Sequence, residues 1–128
     1  MEEQTLHKIL VVDDNQDNRE LIVKIMTHQG YHVVEAVDGK DALEKADSKG
    51  PGLILMDISI PNIDGYEVTR RLKREERFKH TPIIALTAHA MKGDRDKALE
   101  AGCDGYISKP IDIKQFPEQV RSFLKSKA

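Results

Sequence analysis

The chain has 128 residues, 39% hydrophobic and 33% charged. That is apolar enough for one core, too evenly charged for a disordered tail and too short for two ordinary domains. Its 20 basic and 22 acidic side chains give a net charge of −2, so no basic excess points to DNA or RNA as a direct partner. Cys103 is the single cysteine and Met1–Lys8 holds no basic segment leading into an apolar one. No apolar run approaches the roughly 20 residues of a membrane span, so a reducing cytoplasm is the expected compartment.

Taken in chain order, Ile9-Leu10-Val11-Val12 is a short apolar run that stops at Asp13-Asp14, which predicts a buried strand and then a polar turn. Leu21, Ile22, Ile25 and Met26 recur at helical spacing, and Gly30 stands where that helix should stop. Tyr31 to Ala36 gives a second β-branched run and Asp38-Gly39 a turn. Ala42, Leu43 and Ala46 mark one face of a second helix ending near Gly50-Pro51. The third strand, Leu53 to Met56, ends at Asp57; a loop with Pro61, Asn62, Asp64 and Gly65 follows, then a helix marked by Val68 and Leu72. Pro82 to Leu86 forms a fourth strand ending at Thr87, with a weakly amphipathic helix around Met91 to Ala101 behind it. A fifth strand, Gly105 to Ser108, stops at Lys109-Pro110, and a last helix is expected near Ile113 to Ser126, with Lys125 and Lys127 at the end where cations suit the helix dipole. Pro117 lacks an N–H, so either this helix begins near Gln115 or its first turn is distorted.

Strands alternating with helices imply a parallel sheet covered on both faces, because right-handed crossovers place the helices there. A closed eight-stranded barrel needs about twice this length, which leaves an open doubly wound α/β sheet in one domain. Ligands of such sheets sit beyond the carboxyl ends of the strands, near the point where strand order reverses. Asp13-Asp14, Asp57, Thr87 and Lys109 end strands one, three, four and five, while strand two, ending around Glu35-Ala36, would lie at the sheet edge and contribute less.

Each of these residues alone has an ordinary structural use. Asp13 and Asp14 could cap a helix, Asp57 could make an Asx turn, Thr87 could be an N-cap and Lys109 a solvated strand end. Capping, however, does not need aspartate at the ends of both central strands and does not explain a lysine on the same rim. Two carboxylates ~4 Å apart repel by about 4 kcal/mol at an effective dielectric of 20, so a cation must be resident or nearby. The crowding also predicts that alanine at Asp14 or Asp57 stabilises the metal-free fold. Oxygen-only ligands with open positions suit Mg2+, with Mn2+ as a substitute, rather than zinc. A metal beside a lysine and a hydroxyl is a cradle for a phosphoryl group, which makes phosphoryl transfer to a carboxylate the expected chemistry.

Over essentially its whole length the chain resembles the response-regulator receiver domains, the CheY-like family. The resemblance rests on Asp13-Asp14, on Leu55-Met56-Asp57 with Pro61 and Gly65 following, on Thr87-Ala88, and on Tyr106 with Lys109-Pro110. The stretches Ala90 to Asp94 and Ala101 to Tyr106 are similar to stand-alone DivK-type receivers and to receivers of hybrid kinases. The resemblance implies a flavodoxin-like sheet of order 2-1-3-4-5, with 1–128 as a single receiver domain lacking an output domain. It implies Asp57 as the phosphoacceptor, loaded from a phosphohistidine on a sensor histidine kinase or phosphotransfer protein. Asp14, Asp57 and the backbone carbonyl of Ser59 would bind Mg2+, Asp13 would hold metal-bound water, and Lys109 would pair first with Asp57 and then with the phosphoryl oxygens. Thr87 would bond a phosphoryl oxygen and draw its loop inward, with Tyr106 rotating from exposed to buried. A cis Lys109-Pro110 bond is expected, and the face from strand four to helix five would contact an unidentified downstream protein. Ser59 and His89 occupy places that in this family help to set the rate of phosphoryl loss.

Such a protein is a signalling switch that catalyses only its own phosphorylation and dephosphorylation. The other histidines are expected at the surface, Cys103 in packing, and Arg70, Arg71, Lys73 and Arg74 on a solvated helix face balanced by Glu67, Glu75 and Glu76. A flavodoxin-like FMN protein fits poorly, since Asp13-Asp14-Asn15 would repel its phosphate. A haloacid-dehalogenase phosphatase would need an aspartate where Ser59 stands. A phosphorylation-independent binding module, or a receiver excised from a hybrid histidine kinase, are the other readings; the start at Met1 and the lack of a linker favour a stand-alone regulator.

Overall fold

The computed structural model describes residues 8–60, 63–87 and 92–126. Strands β1 (Lys8–Val12), β2 (His32–Ala36), β3 (Leu53–Asp57), β4 (Ile83–Thr87) and β5 (Gly105–Ser108) alternate with helices α1 (Gln16–His28), α2 (Gly39–Lys49), α3 (Gly65–Lys73), α4 (Lys92–Ala101) and α5 (Phe116–Ser126). The sheet order is β2-β1-β3-β4-β5 with every pairing parallel, as the resemblance implied. The chain steps outward from β1 to β2 and then returns past β1 to β3, so strand order reverses between the first and third strands.

Alternation along each strand splits the core in two. Leu10, Val12, Ile54, Met56, Ile83 and Ala85 pack under α2, α3 and α4 through Ala42, Ala46, Val68, Leu72 and Ala98. Ile9, Val11, Leu53, Leu55, Ile84 and Leu86 meet Ile22 and Met26 of α1 and Phe116 and Val120 of α5 on the other face. Residues of β3 and β4 are buried throughout, which is why these strands read as unbroken apolar runs. Each fully buried Leu, Ile or Val contributes about 1.5–3 kcal/mol to holding the rim above them in place.

Helices α1, α2 and α3 begin at Asx caps. Asn15 accepts from the Asn18 N–H at 2.9 Å, Asp38 from Asp41 at 2.8 Å and Asp64 from Glu67 at 3.0 Å. Asn15 therefore does the capping that Asp13 or Asp14 could have done, and both aspartates are left for the rim. Pro117 sits in the first turn of α5, where its missing N–H costs nothing; a turn in which the Asp112 carboxylate accepts from the N–H groups of Lys114 (2.9 Å) and Gln115 (3.3 Å) precedes it. The last helix thus starts at Phe116 rather than Ile113. Met91, at the expected start of α4, and Pro61, Asn62 and Lys127 lie outside the described residues.

One basic residue of α3 departs from the solvated face expected for it. Arg70 and Arg71 pair with Glu67 in solvent, but Lys73 turns inward to the carbonyl of Thr81 at 2.6 Å and to Asp104 Oδ2 at 2.9 Å. That same Asp104 oxygen accepts from the Ile83 N–H, so Lys73 ties α3 to the opening of β4 and β5. Among the described residues no helix is long and apolar enough to cross a membrane.

Cys103 is buried, with its thiol 3.8 Å from the Thr69 hydroxyl, and burial pushes its pKa up from 9.0 to about 11. The folded state therefore keeps a proton that the unfolded chain releases, and Cys103 should subtract stability as pH rises from 9.0 towards about 11. At pH 8, its reaction with a disulfide reagent should be about a hundredfold slower than that of the urea-unfolded protein, because the thiolate is the nucleophile. Equal rates in the two states would contradict this burial.

Candidate functional site

The point of strand-order reversal brings the key carboxylates together. Val12 and Met56 are register partners across β1 and β3, so Asp13 and Asp57 leave the sheet side by side. Each folds back into an Asx turn, Asp13 Oδ1 accepting from the Asn15 N–H at 2.9 Å and Asp57 Oδ1 from the Ser59 N–H at 3.0 Å. These turns end the strands and fix one oxygen of each carboxylate. The second oxygen of each, Oδ2, lies 3.2 Å from Lys109 Nζ. Lys109 is itself held by its N–H, which donates to the Thr87 carbonyl at 2.7 Å, and its bond to Pro110 is cis, as expected.

Asp14 differs from its neighbour. Asp13 is fully buried, whereas Asp14 is exposed, and among the described residues it has no hydrogen-bond or ion-pair partner. Oxygens of Asp13, Asp14 and Asp57 nonetheless lie within 4.8 Å of one another. The opening of α3 closes in below them: a Cβ on Gly65 would come within 2.9 Å of the Asp57 carbonyl and of Ile58 Cα, so a glycine is needed where the helix start packs against the Asp57 turn.

Burial raises the pKa of Asp13 and the nearby Asp57 charge adds to the rise, against the opposing pull of the Asn15 N–H and the Lys109 ammonium. For Lys109, burial disfavours the charged form, but Asp57 and Asp13 outweigh it and the pKa ends raised. Lys109 therefore stays an ammonium and is the internal counter-ion of the buried pair. An oxygen-only donor set at this spacing, open to solvent through Asp14, fits a hard divalent cation, and the described residues add no thiol or imidazole that would suit zinc.

The remaining expected residues fall around this centre. Thr87 is buried at the end of β4, next to the Asp57–Leu86 register pair. Ser59, two residues after the phosphoacceptor candidate, is exposed. Tyr106 is half-buried against the core layer under α2, α3 and α4, so it occupies neither extreme of the expected rotation. Ala88 and His89 lie outside the described residues, while His28, His32 and His80 are exposed as expected. Arg19, which ends no strand, also reaches this centre. Its guanidinium donates to the Asp13 carbonyl and to Glu35 Oε1, both at 2.9 Å. A cation in the first turns of a helix runs against the helix dipole, which was the available sequence signal.

The sequence profile of the response regulator receiver domain matches residues 9–121. The chain belongs to that family. Aspartate phosphorylation and Mg2+ are typical of these receivers, which act in two-component signalling. This receiver is 42% identical to the polar-differentiation response regulator DivK of Brucella ovis over 116 residues, 91% of this chain and 94% of that protein. It resembles the receiver domain of a Pseudomonas aeruginosa sensor histidine kinase, whose structure has a magnesium ion coordinated in the active-site cleft, with a TM-score of 0.86 and 35% identity over 93% of this chain and 98% of that one. A putative response regulator from Chloroflexus aurantiacus matches with a TM-score of 0.89 and 29% identity over 93% of this chain and 98% of that one.

Proposed function

We propose that this receiver is a stand-alone, cytoplasmic switch in which Asp57 accepts a phosphoryl group from a phosphohistidine on a sensor kinase or phosphotransfer protein. The observation that carries the reading is the pairing of Asp57 and Asp13 on one lysine, beside the exposed carboxylate of Asp14. Asp13, Asp14, Asp57 and the Ser59 carbonyl are the groups that would hold Mg2+, or Mn2+ in its place. When bound, the ion supplies positive charge for the phosphoryl oxygens.

In the transfer step a carboxylate oxygen of Asp57 attacks phosphorus, the P–N bond of the phosphohistidine breaks, and its electron pair returns to the imidazole, which leaves. Lys109, already poised between two carboxylates, follows the negative charge from Asp57 to the phosphoryl oxygens. Thr87, buried beside Asp57, donates its hydroxyl to the phosphoryl group, and Tyr106 turns inward with it. The new group carries about −1.5 to −2 charges at neutral pH, enough to bias a two-state element. Output passes to a downstream protein through the face from β4 to α5, where Leu99 of α4 is an exposed apolar side chain.

A mostly apolar cleft of about 460 Å³, formed by Asn18, Leu21, Ile22, Lys109, Pro110, Ile111 and Ile113, opens directly beside the rim. Lys109 is part of its wall, so a donor seated there brings its phosphohistidine to Asp57. Incubation with Mg2+ and acetyl phosphate should add one phosphoryl group by intact mass, and Asp57→Asn should abolish the gain. Ile113→Asp should leave acetyl phosphate unaffected and slow transfer from a cognate phosphohistidine protein about tenfold. A mass gain that survives in Asp57→Asn would assign the chemistry elsewhere.

A further inference from the structure

Arg19 carries a role that its place on α1 does not require. Consecutive residues of a strand point to opposite faces, yet Asp13 and Asp14 must turn their carboxylates to one centre. The chain achieves this by leaving the ladder after Val12. The Asp13 N–H still donates to the Ala36 carbonyl at 3.1 Å, but the Asp13 carbonyl no longer faces a strand, and Arg19 Nη1 donates to it at 2.9 Å. That carbonyl belongs to the peptide joining Asp13 to Asp14, so its direction sets where both side chains emerge. Arg19 is held in turn by Nε on Glu35 Oε1 at 2.9 Å, and by its own N–H on the Asn15 carbonyl at 2.9 Å. The arginine is mostly buried, with 15% of its side chain exposed, whereas Glu35 is 47% exposed.

We infer that Arg19 is a positioning residue for the metal-binding pair, fixing the plane of the Asp13–Asp14 peptide so that Asp13 points in to Lys109 and Asp14 out to the rim. The inference rests on the carboxylate cluster being the Mg2+ site proposed above. Every polar atom of Asp13 is then held from a different element: its N–H from β2, its carbonyl from α1, Oδ1 from the turn at Asn15 and Oδ2 from Lys109 after β5. Glu35 orients the guanidinium, so Arg19 acts through geometry rather than as a general attraction for anions. Lysine cannot replace it, since a single ammonium lacks the fork that spans both acceptors.

The test measures Mg2+ affinity by calorimetry and the acetyl phosphate rate at saturating Mg2+, for wild type, Arg19→Met, Arg19→Lys and Glu35→Gln, with circular dichroism and urea midpoints recorded for each. Groups that orient ligands from behind typically change metal affinity about 10–100-fold. Both Arg19 variants should weaken Mg2+ binding at least about tenfold while folded, and Glu35→Gln should stay within about threefold. Arg19 variants within about twofold of wild type would overturn the inference. So would Glu35→Gln falling as far as Arg19→Met, which would place the effect in the ion pair, or a loss of fold in both Arg19 variants, which would make the role structural. A wild-type protein that binds no Mg2+ would instead sink the functional reading beneath it.

Discussion

Replacing Lys109 with methionine should lower the unfolding free energy of the metal-free protein by about 3 kcal/mol. Breaking a buried ion pair by removing one partner costs about 3–5 kcal/mol, because the stranded charges stay desolvated. Here two carboxylates are stranded, each 3.2 Å from the lysine nitrogen, while the lysine side chain is 17% exposed and so sits at the low end of that range. Methionine keeps the stem and its packing, so the loss reports the charge. Adding Asp57→Asn to the variant should restore more than half of it by removing one of the two stranded charges. The sign of the pH dependence follows from the raised pKa of Lys109. A group that ionises more readily in the folded state contributes stability that is complete below its ordinary value of 10.5 and disappears as pH climbs through the folded value. The gap between wild type and Lys109→Met should hold from neutral pH to about 10 and narrow above it. Urea midpoints at pH 7 and in the alkaline range read this directly, and midpoints that coincide at pH 7 would rule out Lys109 as the counter-ion.

The strand ends carried most of the site because the fold leaves them little choice. In a doubly wound sheet the apolar runs have to lie side by side, so the residue that stops each run stands on the common rim, and Asp13, Asp57, Thr87 and Lys109 could be placed there from spacing alone. What a linear pattern does not carry is which side-chain atom meets which. Lys109 was expected on Asp57; it bridges Asp57 and Asp13, because the two Asx turns consume one oxygen of each and leave the other pair facing it. In sequence Lys73 looks like its solvated charged neighbours, and only the packing of α3 against the opening of β4 brings it to Thr81 and Asp104. Pro117 was ambiguous because a proline in a first turn and a proline that breaks a helix look alike until the preceding turn at Asp112 is seen. Arg19 escaped for the same reason. Its partners are a backbone carbonyl and a side chain of β2, and a basic residue early in α1 marks a departure from the helix dipole without showing what it meets.

The contrast between Asp14 and Asp57 gives the second large effect, with opposite signs in the presence and absence of metal. Crowding alone predicts that alanine at either position stabilises the metal-free fold. The geometry separates the two. Asp57→Ala relieves repulsion but abandons the Ser59 N–H and one side of Lys109, so its net change should be near zero. Asp14→Ala removes an exposed charge with no bonding partner among the described residues, within 4.8 Å of two others, and should raise stability by about 1 kcal/mol, or about 4 °C in melting temperature. Mg2+ at 100 times its dissociation constant should then stabilise the wild type by about 2.7 kcal/mol. Asp14→Ala, having lost a ligand, should gain little at the same concentration. The two melting curves therefore exchange order when Mg2+ is added: the variant melts higher without it and lower with it. Only a carboxylate kept for binding at the expense of folding behaves this way; a variant that melts lower in both conditions would make Asp14 a structural residue, and one that melts higher in both would remove it from the metal site.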